Sequence, residues 1–142
     1  MFETIVQATK NFCTHQIREP FEEVESFNDA QAIITSIDIT TLDDAKHRVY
    51  VVSDMPFAQK VSQLFLEEEE SDQETLIDMA LETTNLIVGS AKVIAQEEDS
   101  QAYTIATPEF ITVEKFTLEH DSKKIFAIND GHILIAIKAI DG

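Results

Sequence analysis

Apolar side chains recur every three or four residues in three parts of the chain, which is the spacing of one face of an α-helix. The three helices predicted from this pattern cover residues 2–17, about 56–66 and about 73–94. Pro20 follows the first helix closely and is expected to end it. Asp54 precedes the second helix, and Ser71 or Asp72 precedes the third, in the position of an N-cap. The pattern therefore predicts three amphipathic helices with identifiable ends.

Runs of β-branched and aromatic residues between polar turns predict six β-strands. The predicted strands cover residues 32–40, 48–53, 102–106, 111–118, 124–128 and 133–140. Asn129-Asp130-Gly131, between the last two, is a strong hairpin signal. Because the last four strands are joined by connections too short for crossovers, we expect antiparallel pairing. The sequence therefore predicts an α/β (α+β) fold, a two-layer domain in which helices pack on a largely antiparallel sheet.

Length and composition place the whole chain in one domain, residues 1–142. With 44% hydrophobic and 26% charged residues, a chain of 142 residues can bury a hydrophobic core without the help of disulfides or a structural metal ion. No apolar run reaches the length of a membrane span, and the first residues lack the basic region and cleavage site of a secretory signal. The single cysteine, Cys13, excludes an internal disulfide. We therefore expect a cytoplasmic protein with no membrane insertion.

Acidic residues outnumber basic ones by twenty-seven to ten, which gives a net charge of −17. So few basic residues argue against nucleic acid or an anionic bilayer as a partner. The charge is explained either by solubility or by a protein partner that brings lysine or arginine. Solubility is the simpler interpretation for the total, and the run Glu67–Glu70 is expected to be a solvated helix end.

One side of the third predicted helix carries a polar stripe, which consists of Asp78, Glu82, Asn85 and Gly89. The last three lie four, seven and eleven residues after Asp78, which is helical periodicity. A carboxylate can pair with a cation, a carboxamide both donates and accepts hydrogen bonds, and a glycine allows close approach. By itself such a stripe is typical of a solvated helix face.

The wider motif resembles a known family. Asp78-x-x-x-Glu82-x-x-Asn85, followed after twenty-two residues by Pro108, resembles the signature of the CheC/CheX/FliY phosphatases of bacterial chemotaxis. The continuation from Asn85 through Gly89 to Ala91 is most similar to CheX-type proteins. CheC-type proteins carry two copies of the signature, and this chain has one, so CheX is the better comparison.

The resemblance implies a phosphatase that hydrolyses the aspartyl phosphate of a CheY-type receiver domain. In this interpretation Asn85 orients the attacking water and Glu82 pairs with a receiver lysine, while Asp78, Gly89 and Pro108 support them. It implies no cofactor in this chain, since Mg²⁺ is expected in the receiver, and it implies a homodimer. The alternative is a non-catalytic CheX-like module that binds a receiver or a flagellar-switch component.

The helix carries two more candidates, Met79 and Leu86, which flank the stripe and are expected to be exposed apolar contacts for a partner. Glu82 and Asn85 are expected to be exposed side by side on a shallow, open face without metal or nucleotide.

Cys13 lies on an apolar helix face and is expected to be a core thiol. Four histidines lack metal-ligand spacing and predict no zinc site: His15, His47, His120 and His132.

Overall fold

The structure is a computed structural model that describes residues 1–27, 30–97 and 102–140. Its helices are α1 (Phe2–Phe12), which continues into a π-helical turn over Cys13–Ile17, α2 (Met55–Leu66) and α3 (Gln73–Glu97). Its strands are β1 (Phe21–Val24), β2 (Ala32–Thr41), β3 (Lys46–Asp54), β4 (Tyr103–Ile105), β5 (Glu109–Glu114), β6 (Ser122–Ile128) and β7 (Gly131–Ile140). The three predicted helices and six predicted strands are therefore present, with shifted ends.

All described strands belong to one antiparallel sheet. The order is β1-β6-β7-β3-β2, and both β4 and β5 pair with β2. The predicted hairpin joins β6 to β7, with Asn129 at a φ of 56°, a conformation that asparagine tolerates well. Strand β1 was not predicted, because it has only four residues and two of them are glutamates.

The three helices pack on one face of this sheet, and the core lies between the two layers. Isoleucines that point to the helices from β2 and β7 are almost fully buried: Ile33, Ile37, Ile39, Ile133, Ile135 and Ile137. The opposite face of the sheet carries a smaller apolar cluster around Tyr50 and Leu134. The predicted two-layer α/β architecture is confirmed.

Two aspartates begin helices as the sequence predicts. Asp54 Oδ1 accepts a hydrogen bond from the Phe57 backbone N–H at 2.9 Å, at the start of α2. Asp72, rather than Ser71, caps α3 and accepts from the Thr75 N–H at 2.8 Å. Hydrogen bonds from the Thr75 side chain and from its backbone N–H lower the pKa of Asp72 below its ordinary value, because they favour the ionised carboxylate.

The last predicted helix and one strand differ from expectation at their ends. Helix α3 extends to Glu97, and β5 stops at Glu114 instead of reaching residue 118. Beyond the end of β5, Phe116 packs against Tyr50, with ring centroids 5.6 Å apart. Among the helices of the described residues, none combines the length and the apolar character that a membrane span needs.

Candidate functional site

The polar stripe lies on the exposed side of α3. Asp78, Glu82 and Asn85 are exposed, and Gly89 is half-buried. The other side of the helix faces the core through Leu76, Met79, Ala80, Thr83, Thr84, Ile87, Val88, Ala91 and Ala95. The prediction that Glu82 and Asn85 are exposed on one helix is therefore confirmed.

Met79 is the exception among the predicted site residues. It is only 7% exposed and belongs to the main core cluster together with Ile5 and Ala8 of α1. The expectation that Met79 is an exposed contact is wrong, because Met79 lies beside the polar stripe on the side of α3 that packs against α1. Leu86, by contrast, is 38% exposed.

A second segment of the chain faces the stripe and forms an open groove with it. One wall consists of Asp78, Leu81, Glu82 and Asn85, and the other is formed by residues 105–108. The groove has a volume of about 410 Å³ and is open to solvent. Pro108, separated from Asn85 by twenty-two residues in sequence, is thus brought beside it.

The second wall is held by β2. The Ala106 backbone N–H donates to the carbonyl oxygen of Asp38 at 2.9 Å, and β4 and β5 on either side of this segment both pair with β2. Ile105, Ala106 and Thr107 were not identified from the sequence. The sequence feature that could have identified them as part of the site is their position directly before Pro108.

Glu82 and Asn85 carry polar groups that the described part of the chain leaves without a partner. Among the described residues, neither the Glu82 carboxylate nor the Asn85 amide has a hydrogen bond or an ion pair to another side chain or to the backbone. The described residues that line the groove include no histidine, cysteine or basic side chain. The site can therefore attract a cation through its carboxylates and orient a polar molecule through its amide.

The other candidates from the sequence lie away from the groove. Cys13 is fully buried, as predicted, and burial raises the pKa of its thiol to about 12. His132 Nδ1 lies 2.9 Å from Asp54 Oδ2, next to the start of α2. Within the described ranges, no three His, Cys, Asp or Glu side chains converge as metal ligands would.

Fold and site together define the class of the protein: an α/β domain of the CheC/CheX kind, with a Glu-x-x-Asn helix face beside a proline-containing segment. The family model described as chemotaxis phosphatase CheX matches residues 35–129, which include the groove and both of its walls. The chain belongs to the CheX family. No curated protein sequence is similar to the chain at a significant level.

Solved structures share the fold along almost the entire chain. The chemotaxis protein CheX from Vibrio vulnificus has a TM-score of 0.82 and 19% identity, over 97% of this chain and 95% of that one. CheX from Desulfovibrio desulfuricans has a TM-score of 0.76 and 21% identity, over 97% of each chain. The complex of CheX with CheY, BeF3 and Mg²⁺ from Borrelia burgdorferi has a TM-score of 0.66 and 18% identity, over 96% of this chain and 97% of that one. At these identities the likeness is one of fold.

Proposed function

We propose that this protein hydrolyses the aspartyl phosphate of a CheY-type receiver domain in chemotaxis signalling. Membership of the CheX family supports the class of activity, and a similar structure from Borrelia burgdorferi is a complex with CheY. The observation that carries the proposal is the exposed pair Glu82 and Asn85, whose polar groups have no partner in the described chain. Both side chains are therefore available for hydrogen bonds or an ion pair with a second protein.

The reaction requires little of the phosphatase itself. An aspartyl phosphate is already reactive, and the receiver supplies Mg²⁺ and a lysine at its own site. The remaining task is to place a water in line with the phosphorus, which is a matter of positioning. The Asn85 amide can accept a hydrogen bond from that water and donate another to a phosphoryl oxygen, without acting as a base.

Glu82 has a different role in the proposal. Its carboxylate lies one helical turn from Asn85 on the same side of α3 and would pair with the receiver lysine. This ion pair would fix how deeply the Asn85 side chain enters the receiver site. Asp78 adds negative charge to the same groove wall, and Pro108 supports the opposite wall.

Gly89 fits a role in docking. A Cβ at this position would meet no heavy atom within 4 Å, so packing inside the chain does not require glycine there. A glycine in a helix interior costs about 1 kcal/mol relative to alanine. Close approach of a receiver to α3 would explain why the residue lacks a side chain.

The rival function is a non-catalytic module that binds a receiver without turnover. The two are separated by measuring decay of a phosphorylated receiver with wild-type protein and with Asn85→Ala. We expect the variant to lose turnover while it still binds the receiver and keeps its stability, because an exposed amide contributes little to folding. The matched control is Gln96→Ala, which removes another exposed amide from the same side of α3 and should leave turnover intact. Decay that stays at the rate of the isolated receiver with wild-type protein, although the two proteins bind, would favour the binding module.

The proposal also includes a homodimer, as the family resemblance implies, and a cytoplasmic location, as the sequence composition leads us to expect. Sedimentation equilibrium of the purified protein measures the first directly. A mass that remains that of a single 16.0 kDa chain at the highest concentration would contradict the dimer.

A further inference from the structure

A pair of buried hydroxyl groups joins α3 to the sheet directly behind the functional stripe. Thr84 Oγ1 on α3 and Thr35 Oγ1 on β2 are 2.6 Å apart, a normal distance for an O–H···O hydrogen bond. Both residues are fully buried. Thr84 immediately precedes Asn85 in the chain.

The two hydroxyls form a satisfied chain of hydrogen bonds. Thr84 Oγ1 lies 2.8 Å from the carbonyl oxygen of Ala80, and Thr35 Oγ1 lies 3.2 Å from that of Val51. One hydroxyl donates to the other, and the second donates to its backbone carbonyl. Either order leaves both protons bonded, so the contact between helix and strand persists in both.

The same strand supports both walls of the groove. Thr35 lies where the pairing of β2 with β5 shifts register, between Ile34 and Thr35, and β5 begins directly after Pro108. Further along β2, the Asp38 carbonyl holds Ala106. The hydroxyl contact therefore ties the helix that carries Asn85 to the strand that positions the opposite wall.

We propose that Thr84 is a positioning residue, whose hydrogen bond to Thr35 sets the rotation and depth of α3 so that the Asn85 amide meets the attacking water. This inference rests on the proposed phosphatase function. The residues beside Thr84 on the buried side of α3, such as Ala80, Ile87 and Val88, make apolar contacts that have no preferred direction. The hydroxyl pair supplies direction, because a hydrogen bond fixes both distance and angle.

The test is Thr84→Val, which replaces the hydroxyl with a methyl group of similar size. A methyl carbon needs roughly 3.5 Å or more from the Thr35 oxygen, against the 2.6 Å of the hydrogen bond. The helix must therefore shift at the residue that precedes Asn85. Since a misplacement of ~1 Å can cost ~100-fold in rate, we expect kcat for dephosphorylation to fall about tenfold with KM nearly unchanged.

Thr83 provides a matched control on the same helix. Its hydroxyl is also buried and bonds to the carbonyl oxygen four residues earlier, that of Met79 at 2.8 Å. No other element contacts this hydroxyl among the hydrogen bonds of the described residues. Thr83→Val should leave kcat within about twofold of wild type, and Thr84→Ser, which restores the hydrogen bond, should recover most of the lost rate.

The outcomes separate this inference from the function on which it rests. A wild-type protein that does not accelerate receiver dephosphorylation contradicts the proposed function. An active wild type with equal kcat for Thr84→Val and Thr83→Val overturns the positioning role. If circular dichroism shows that Thr84→Val does not fold, Thr84→Ala takes its place, because it removes the hydroxyl without adding an atom. Equal kcat for Thr84→Ala and Thr83→Ala then overturns the positioning role in the same way.

Discussion

Replacing Gly89 by alanine should change stability and function in opposite directions. Gly89 lies inside α3 without a positive φ, and a Cβ there would meet no heavy atom within 4 Å. Alanine is favoured over glycine in a helix interior and also restricts the unfolded chain, so we expect stabilisation by about 0.5–1 kcal/mol. For a chain of this size the midpoint of thermal unfolding should rise by about 2–4 °C. Urea unfolding and calorimetry measure both quantities.

The functional half of this prediction follows from the position of Gly89 in the exposed stripe. A methyl group there would project into the surface that the receiver approaches, and an added methyl in a close-packed contact costs about 1–3 kcal/mol. We expect KM for the phosphorylated receiver to rise roughly fivefold or more. A more stable variant with unchanged KM would refute the proposal that the receiver approaches α3 closely at Gly89. A less stable variant would contradict the placement of Gly89 in an uncrowded helix interior.

The same substitution at Gly131 is the internal control for stability. A Cβ at Gly131 would lie 2.8 Å from the Phe57 backbone nitrogen and 2.9 Å from its Cα, so backbone has to move. That nitrogen donates to the Asp54 cap, and overpacking together with a weakened cap should cost about 2–3 kcal/mol. Gly131→Ala should therefore destabilise the protein, where Gly89→Ala stabilises it.

Three further predictions concern charge, pH and the buried thiol. Glu82→Lys should weaken receiver binding more than Glu82→Gln does, because it places like charges together, and the difference should depend on salt. Equal affinities of the two variants in a titration would contradict the ion pair. Turnover should stay nearly flat from about pH 6 to 9 if Asn85 only orients water, whereas a single titration step in the rate would indicate a general base. Cys13 should resist alkylation in the native protein, because burial raises the pKa of its thiol to about 12 and leaves almost no thiolate; fast labelling before unfolding would contradict this packing.

Local signals in the sequence were enough to predict the helices, two of their caps and the last hairpin. Asp54, Asp72 and the Asn129 turn act through hydrogen bonds and backbone angles within a few residues of themselves. Met79 was assigned incorrectly because it lies at the border between the polar stripe and the core. Which side of that border becomes buried depends on where α1 packs, and helical periodicity alone does not contain that information.

Contacts between segments that are distant in the chain could not be predicted from the sequence. Thr35 and Thr84 are 49 residues apart and meet only when α3 lies across β2. Strand β1 forms by backbone pairing with β6, and its glutamates gave no apolar signal. The second wall of the groove likewise depends on β4 and β5 both pairing with β2. The signature motif predicted that Pro108 matters, but its place beside Asn85 is a property of the fold.

The phosphatase function is tested most directly by the decay of a phosphorylated CheY-type receiver in the presence of a substoichiometric amount of this protein. We expect each molecule of wild-type protein to dephosphorylate many receivers and release inorganic phosphate. Asn85→Ala, still able to bind, should release it no faster than the receiver does alone. Release that remains at the rate of the isolated receiver with wild-type protein, although the two proteins bind, would contradict the phosphatase function.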